Sequence, residues 1–342
     1  MSEPFQPIDT PQLAVLGGGA WGTALAAVGA RHHPDSTISL WAREAEVVEA
    51  VNTHHENTPF LPGVPLPDNI HATTALAALA AADIILMVVP AQFAGAVLAD
   101  LAPHLKPQAS LVLCAKGVER DSLKLMSDVA ADYVAAERLA VLSGPSFAAD
   151  VARGLPTAVT LACADAARGT YLCDILGGPG LRPYYSADII GAEIGGAMKN
   201  VLAIACGIVA GKQLGESARA AVTARGFAEM QRLGAALGAR PETLGGLSGL
   251  GDLILTCSSD TSRNFSLGRG LGEGRRIEDI LGTRNSVSEG AMSALAIRQL
   301  AARHQLDLPI CGAVEAVLSG QDGVDQAIEK LLARPLTAEH GR

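Results

Sequence analysis

Lys199 lies in GGAMKN (195–200), inside a run of apolar and small residues that extends from 189 to 211. Burying an ammonium is costly unless it is paired or loses its proton easily. A lysine in that state can give and take protons near neutral pH. The plainer alternative is a lysine that snorkels to the rim of its helix. Asp252, in GLGDLILTCSSDTSRN (249–264), stands between glycines and an apolar run and is a candidate buried partner for that amine. Thr256 follows four residues later, on the same face if the segment is helical. Arg263 and Asn264 close the segment with a planar cation and an amide, a pair suited to phosphate. A helix-capping role for Asp252 and a solvated position for Arg263 are the simple alternatives. Lys116, in LCAKG (113–117), follows a predicted parallel strand, at the edge where ligands bind. A solvated loop lysine is the competing reading. In LSGPSF (142–147), Gly144 permits close backbone approach and Ser146 offers a hydroxyl, either to a ligand or to a helix start.

A second constellation precedes these. LAVLGGGAWG (13–22) ends a short apolar run in Gly17-x-Gly19-x-x-Gly22, and the helix-favouring run TALAAVGA follows. In that context Gly17 permits the tight turn, Gly19 lets backbone approach a pyrophosphate, and Gly22 lets helix pack on strand. The helix start adds unpaired N–H groups and partial positive charge. The alternative is an ordinary glycine-rich turn. The end of the next strand reads ISLWARE, with Ala42 and Arg43 where an NAD-specific site usually has an acid. Arg43 suits a ribose 2′-phosphate and favours NADP(H) with NAD(H) still possible. Glu44 directly after it mixes the sign, and Arg43 as a mere surface residue is the alternative.

The elements that must position these groups alternate in the first half of the chain. Strands are predicted at Leu13–Leu16, Thr37–Trp41, Asp83–Val89, Leu111–Ala115, Leu139–Leu142 and Ala158–Ala162, with a last one at Leu181–Ser186. Helical runs such as Ala91–Leu101 and Lys124–Ala136 separate them, which implies a parallel, doubly wound sheet. Residues 54–69 carry Pro59, Pro62, Pro65 and Pro67 and are expected to form a loop over the crevice. From about Asp188 long Ala/Leu/Gly segments with helical spacing take over, at 188–211, 216–238, 241–247, 288–304 and 310–319. The expected fold class is α/β. A dinucleotide-binding part (1–187) precedes a mostly helical C-terminal domain (188–342), with the site in the cleft between them.

Composition narrows the function classes. The 342 residues exceed one ordinary core. A net charge of −9 argues against nucleic acid as partner, while local Lys and Arg can still hold a small anion. Six cysteines without a CxxC pair read as thiols in a reducing, cytoplasmic setting. His32-His33 and His54-His55 lack ligand spacing and are expected at the surface, so no metal site is expected. The opening MSEPFQPIDTPQ lacks the pattern of a signal peptide and reads as a loose extension. The run 189–211 carries Glu193 and Lys199 near its middle, which suits a buried helix better than a membrane span.

Together and in this order, GGGAWGTALA, CAKG, SGPSFA, GGAMKN, TARGFAEM, GLGDLILTCSSDTSRN and VSEG resemble the NAD(P)-dependent glycerol-3-phosphate dehydrogenases of the bacterial type, over nearly the whole chain. The resemblance implies a Rossmann-like N-terminal domain. It also implies reversible hydride transfer between dihydroxyacetone phosphate and sn-glycerol 3-phosphate, a precursor of phospholipids. By this resemblance Lys199 matches the catalytic lysine, and Lys116 a contact to both substrate and cofactor. Gly144 and Ser146 match the substrate turn, with Ala148 beside it on the cofactor. Asp252, Ser262, Arg263 and Asn264 match the substrate wall, to which Asn200 and Thr256 are added as candidates. Arg263 is expected to anchor the phosphate and reach the cofactor. Val287, Glu289 and Arg43 match cofactor contacts, and Ala20 and Trp21 line the pyrophosphate loop. Ala20 stands where serine is usual, and Ser146 where threonine is frequent. A homodimer is expected. Two other readings are a hydroxy-acid dehydrogenase of the 6-phosphogluconate or 3-hydroxyisobutyrate type, and a dinucleotide sensor without turnover.

Overall fold

The computed structural model describes residues 5–282, 289–336 and 338. Ten strands occur among them: β1 (Leu13–Leu16), β2 (Ile38–Trp41), β3 (Glu56–Asn57), β4 (Leu61–Pro65), β5 (Ile70–Thr73), β6 (Ile84–Met87), β7 (Ser110–Leu113), β8 (Leu139–Ser143), β9 (Thr157–Cys163) and β10 (Leu181–Ser186). The α-helices of the first half are α1 (Ala20–His32), α2 (Ala45–His54), α3 (Ala94–Leu101), α4 (Met126–Ala131), α5 (Ala148–Ala152) and α6 (Ala166–Leu176). The rest of the chain is helical: α7 (Ile189–Gly211), α8 (Glu216–Leu237), α9 (Pro241–Leu244), α10 (Asp252–Cys257), α11 (Arg263–Gly272), α12 (Ile277–Gly282), α13 (Glu289–Arg303), α14 (Pro309–Leu318) and α15 (Val324–Leu332).

Eight strands form one sheet in the order β10-β9-β8-β7-β6-β1-β2-β5. The chain leaves β1 toward β2 and β5, then returns to lay β6, β7 and β8 on the other side. The carboxyl ends of β1 and β6 therefore flank the point where strand order reverses, the place where such sheets open a crevice. β1, β6, β7 and β8 are buried along their length, as strands covered by helices on both faces must be. Leu25, Val28, Val47 and Leu172 close one face, and Leu98, Leu101, Met126 and Val129 the other.

Three expectations need correction. The β8–β9 pair is antiparallel, with Ser143 opposite Thr160, although the other neighbours in the sheet are parallel. The short α5 packs on α1 at the carboxyl edge, so the chain re-enters the sheet from the end it left. The proline-rich stretch 54–69 is not only loop, because β3 and β4 pair there as an antiparallel ribbon and β5 follows directly. The N-terminal segment is also held. The Arg168 guanidinium lies 4.4 Å from the Phe5 ring centroid, Tyr171 Oη donates to Ile8 O at 3.0 Å, and the Gln12 N–H donates to Asp83 Oδ2 at 2.9 Å.

α7 is the pillar of the helical half. It is long and apolar enough to cross a membrane, yet it is buried inside the fold along nearly its whole length. α8, α10, α11, α13 and α14 pack around it, and its start also meets β8 and β9. Asp188 caps it, accepting the Gly191 N–H at 2.9 Å. α11 crosses α7 at unusually close range. A Cβ on Gly207 would lie 2.0 Å from Phe265 O, and one on Gly268 would lie 2.0 Å from Ile204 O.

Candidate active site

The glycine-rich loop follows β1 at the strand-order reversal. Two of its three glycines are required by the fold, each for its own reason. Gly17 has φ +131°, a conformation closed to most side chains. A Cβ on Gly22 would lie 1.8 Å from Gly17 O, so only glycine lets α1 begin there. Gly19 has φ −70°, and a Cβ on it would meet nothing within 4 Å. Neither backbone angle nor packing demands glycine at 19; what its missing side chain leaves is open space over the loop. It is also the residue before α1, whose start has no capping side chain. Backbone N–H groups and dipole thus face that open space, which fits a dinucleotide pyrophosphate. Ala20 and Trp21 form the first turn of α1. Ala148, at the start of α5, packs with them against the core on this face.

Asn57 supports the loop from beneath and was not apparent from sequence spacing. It is fully buried on β3, and its Nδ2 donates to Gly18 O at 2.8 Å and to Thr23 Oγ1 at 2.7 Å. Gly17 N–H donates to Trp41 O at 3.0 Å, which ties the loop to the end of β2 and brings Arg43 alongside it. Arg43 is exposed and paired with Glu44 at 2.8 Å.

The lysines meet across the carboxyl edge of the sheet. Lys199, from the middle of α7, donates from Nζ to Asp252 Oδ1 at 2.6 Å and to Thr256 Oγ1 at 3.2 Å. Its residue is 8% exposed, so the amine does not snorkel out to solvent. Lys116, in the loop after β7, donates from Nζ to the other carboxylate oxygen, Oδ2, at 2.7 Å and to Gly144 O at 3.1 Å. One fully buried carboxylate thus holds two ammoniums. Asp252 opens α10 but caps nothing, because its side chain is turned to the lysines. Thr256, one turn on, returns its hydroxyl to Asp252 O at 2.6 Å. A single π turn, Leu247–Gly251, leads into α10, and a Cβ on Gly195 would collide with Ser248 O in it at 2.3 Å. Gly195 therefore lets this turn close on α7 one helical turn before Lys199. The Ser146 hydroxyl is spent locally, on Gly144 O at 3.0 Å.

Burial pushes the Lys199 ammonium down to about 8, with Lys116 adding to the fall and Asp252 opposing it. For Asp252, burial alone would raise the carboxyl, but Lys116 and Lys199 outweigh it and hold it below the usual carboxylate range. Lys116 alone therefore does not account for the lowered pKa of Lys199; desolvation is the larger cause.

The remaining candidates line up behind the lysines. Asn200 Nδ2 reaches Lys116 O at 3.4 Å, and Asn264 Nδ2 donates to Asn200 Oδ1 at 2.9 Å. The Gly290 N–H donates to Asn264 Oδ1 at 3.1 Å, which links the start of α13 to the site. Ser262 caps α11, accepting the Phe265 N–H at 3.3 Å. Arg263, the first residue of α11, is exposed and lies within electrostatic reach of Glu289. Burial raises the Glu289 carboxyl, while Arg263, Lys116 and Lys199 draw it back. Val287 lies outside the described residues. Of the four histidines expected at the surface, only His54 is exposed; His32, His33 and His55 are half-buried, and His33 Nε2 lies 2.9 Å from Ile175 O.

A glycine-lined crevice at the reversal of a parallel sheet, facing a buried amine on the pillar of a helical body, defines a two-part, dinucleotide-dependent dehydrogenase. Residues 12–168 match the family described as NAD-dependent glycerol-3-phosphate dehydrogenase N-terminus, and residues 188–329 match the corresponding C-terminus family. The chain belongs to the NAD-dependent glycerol-3-phosphate dehydrogenase family.

It is 57% identical to the glycerol-3-phosphate dehydrogenase [NAD(P)+] of Parvibaculum lavamentivorans over 96% of this chain and 98% of that one. The Caulobacter vibrioides protein of the same name is 56% identical over the same shares. Among solved structures, the glycerol-3-phosphate dehydrogenase from Coxiella burnetii superposes with a TM-score of 0.90 at 37% identity, covering 95% of this chain and 99% of that one. A D-mandelate dehydrogenase, at TM-score 0.61, 15% identity and 93% and 99% coverage, shares the fold alone.

Proposed function

We propose that this chain reduces dihydroxyacetone phosphate to sn-glycerol 3-phosphate, and reverses that reaction, with NADP(H) preferred and NAD(H) accepted. The single observation that carries this reading is the carboxylate of Asp252 shared by the ammoniums of Lys199 and Lys116. Two positive charges against one negative leave a net positive charge at the carboxyl edge of the sheet, where an alkoxide oxygen would develop. Preorganised charge of this kind lowers such barriers by roughly 3–4 kcal/mol per donor.

The bound nicotinamide cofactor supplies or takes up the hydride. Lys199 donates a proton from Nζ to the substrate oxygen in reduction and accepts it in oxidation. Asp252 and Thr256 fix the direction of that amine, and Lys116 adds the second cation. Arg263 and Asn264 bind the phosphate of the substrate. Gly144 and Ser146 form the substrate turn, and Ser262, Asn200 and Thr256 complete its wall. Gly17, Gly19, Ala20, Trp21 and Gly22 hold the pyrophosphate, with Ala148, Arg43, Val287 and Glu289 as further cofactor contacts. Residues 1–187 serve as the dinucleotide-binding part and 188–342 as the substrate part. The product would supply phospholipid synthesis, in the cytoplasm, from a homodimer.

NADP+ reduction followed with sn-glycerol 3-phosphate, 6-phosphogluconate and 3-hydroxyisobutyrate, and NADPH oxidation followed with dihydroxyacetone phosphate, test the reading. Turnover confined to the sn-glycerol 3-phosphate and dihydroxyacetone phosphate pair is expected. Tight NADPH binding without turnover on any ketone phosphate would instead favour a sensor.

A further inference from the structure

Glu44 stands where the wall of the glycine-rich loop meets the end of β2. The loop is fixed there by the Gly17 N–H bond to Trp41 O at 3.0 Å, and a Cβ on Gly18 would lie 2.4 Å from the Cβ of Ala42. Arg43 and Glu44 are the next two residues. Glu44 is the N-cap of α2, and its carbonyl accepts the Val47 N–H at 3.1 Å. Its side chain caps nothing. Instead Arg43 donates from both Nε (3.1 Å) and Nη2 (2.8 Å) to the single oxygen Oε1. The Arg43 side chain is 76% exposed and that of Glu44 30%, so the carboxylate is the anchored member and the guanidinium the movable one.

We propose that Glu44 is a specificity-determining residue: its carboxylate occupies the guanidinium that a ribose 2′-phosphate would need, and offers an acceptor to an unphosphorylated 2′-hydroxyl. This rests on the dinucleotide site proposed above. An exposed ion pair is weak, so a dianionic phosphate can displace Glu44 from Arg43. The displaced carboxylate remains beside the phosphate and repels it. A neutral 2′-hydroxyl meets no such repulsion and finds a charged acceptor. The pair therefore narrows the gap between the two cofactors, where an arginine alone would widen it in favour of the phosphorylated form.

The test is calorimetric titration of adenosine 2′,5′-bisphosphate and AMP into wild type, Glu44→Gln and Arg43→Ala, with kcat/KM for NADPH and NADH measured in parallel. Glu44→Gln is expected to tighten the bisphosphate by about threefold to tenfold and to weaken or leave unchanged AMP, with the NADPH/NADH ratio rising to match. Arg43→Ala is expected to move both ratios the other way. If Glu44→Gln changes both nucleotides equally, or neither, while Arg43→Ala still shifts the ratio, Glu44 does not face the ribose and the proposal is wrong. If wild type binds neither the nucleotides nor the dinucleotides, the dinucleotide site falls and the role of Glu44 with it.

Discussion

At the scale of single residues, the Lys116–Asp252–Lys199 triad makes the sharpest predictions. Lys199→Ala should lower kcat by roughly 10²–10⁴-fold while NADPH binding, read by fluorescence quenching, stays near wild type. Near-normal turnover in that variant would remove the proton-transfer role. Because burial brings the Lys199 ammonium down to about 8, the two directions should have opposite pH profiles. Reduction needs the protonated amine, so its kcat/KM should be full below about pH 8 and fall above it. Oxidation needs the neutral amine and should rise through the same region. Asp252→Asn removes the carboxylate bonded to Lys199 that opposes the fall of its pKa, so the fall of the reduction profile should move to lower pH. The same change leaves two buried cations without their counterion, and chemical denaturation should register a loss of about 3–5 kcal/mol. Lys199 and Asp252 were legible in sequence because charged side chains within apolar runs are costly and stand out, Lys116 because it follows a parallel strand at the ligand edge, and Thr256 because it falls one helical turn after Asp252. Asn57 was not. A buried amide that braces a loop across 39 positions leaves no local trace.

At the scale of elements, the crossing of α7 and α11 decides where Arg263 and Asn264 sit. Gly207 and Gly211 on α7 face Phe265 and Arg269 of α11, while Gly268 and Gly272 face Ile204 and Ile208. Gly268→Ala places a methyl 2.0 Å from a backbone oxygen, so α11 must move outward. That should lower stability by about 1–3 kcal/mol. It should also raise KM for the phosphorylated substrate more than it changes KM for NADPH, since the displaced helix begins at Arg263. Equal changes in the two constants would detach α11 from the phosphate end of the site. Expected helix starts and ends were good where apolar spacing was strong, as at Ile189–Gly211 and Glu216–Leu237. α11 went unread because Gly268, Gly270 and Gly272 depress helix propensity, and only the close packing on α7 offsets that. Lys124–Ala136 shortens to Met126–Ala131, and Ala91–Leu101 begins with a 3₁₀ turn before α3. β3 and β4 are too short for a period to register, and Pro62 and Pro65 are tolerated in β4 because a two-stranded ribbon has open edges.

At the scale of the whole molecule, the N-terminal segment straps the outer face of α6. Removing residues 1–8 takes the Phe5 ring from Arg168 and the Ile8 carbonyl from Tyr171. Thermal denaturation should show a loss of about 1 kcal/mol, with KM values unchanged because the contact lies on β9–β10's covering helix and not at the crevice. A changed KM would mean that the strap reaches the site. The same view explains how a chain of net charge −9 can hold an anion. Lys116, Lys199 and Arg263 are far apart in sequence but gathered at one edge of the sheet, so the local field is opposite to the global one.

The sequence by itself determined the class of elements, the glycine-rich loop and which charges were too costly to leave unexplained. Those follow from local rules: side-chain periodicity, the φ that only glycine reaches, and the penalty for burying charge. Tertiary structure alone decided that one carboxylate serves two amines, that β9 runs against β8, and that Gly207 meets Gly268's helix at backbone range. These depend on approach between segments tens of residues apart, and distance in space is not encoded in any window of the chain.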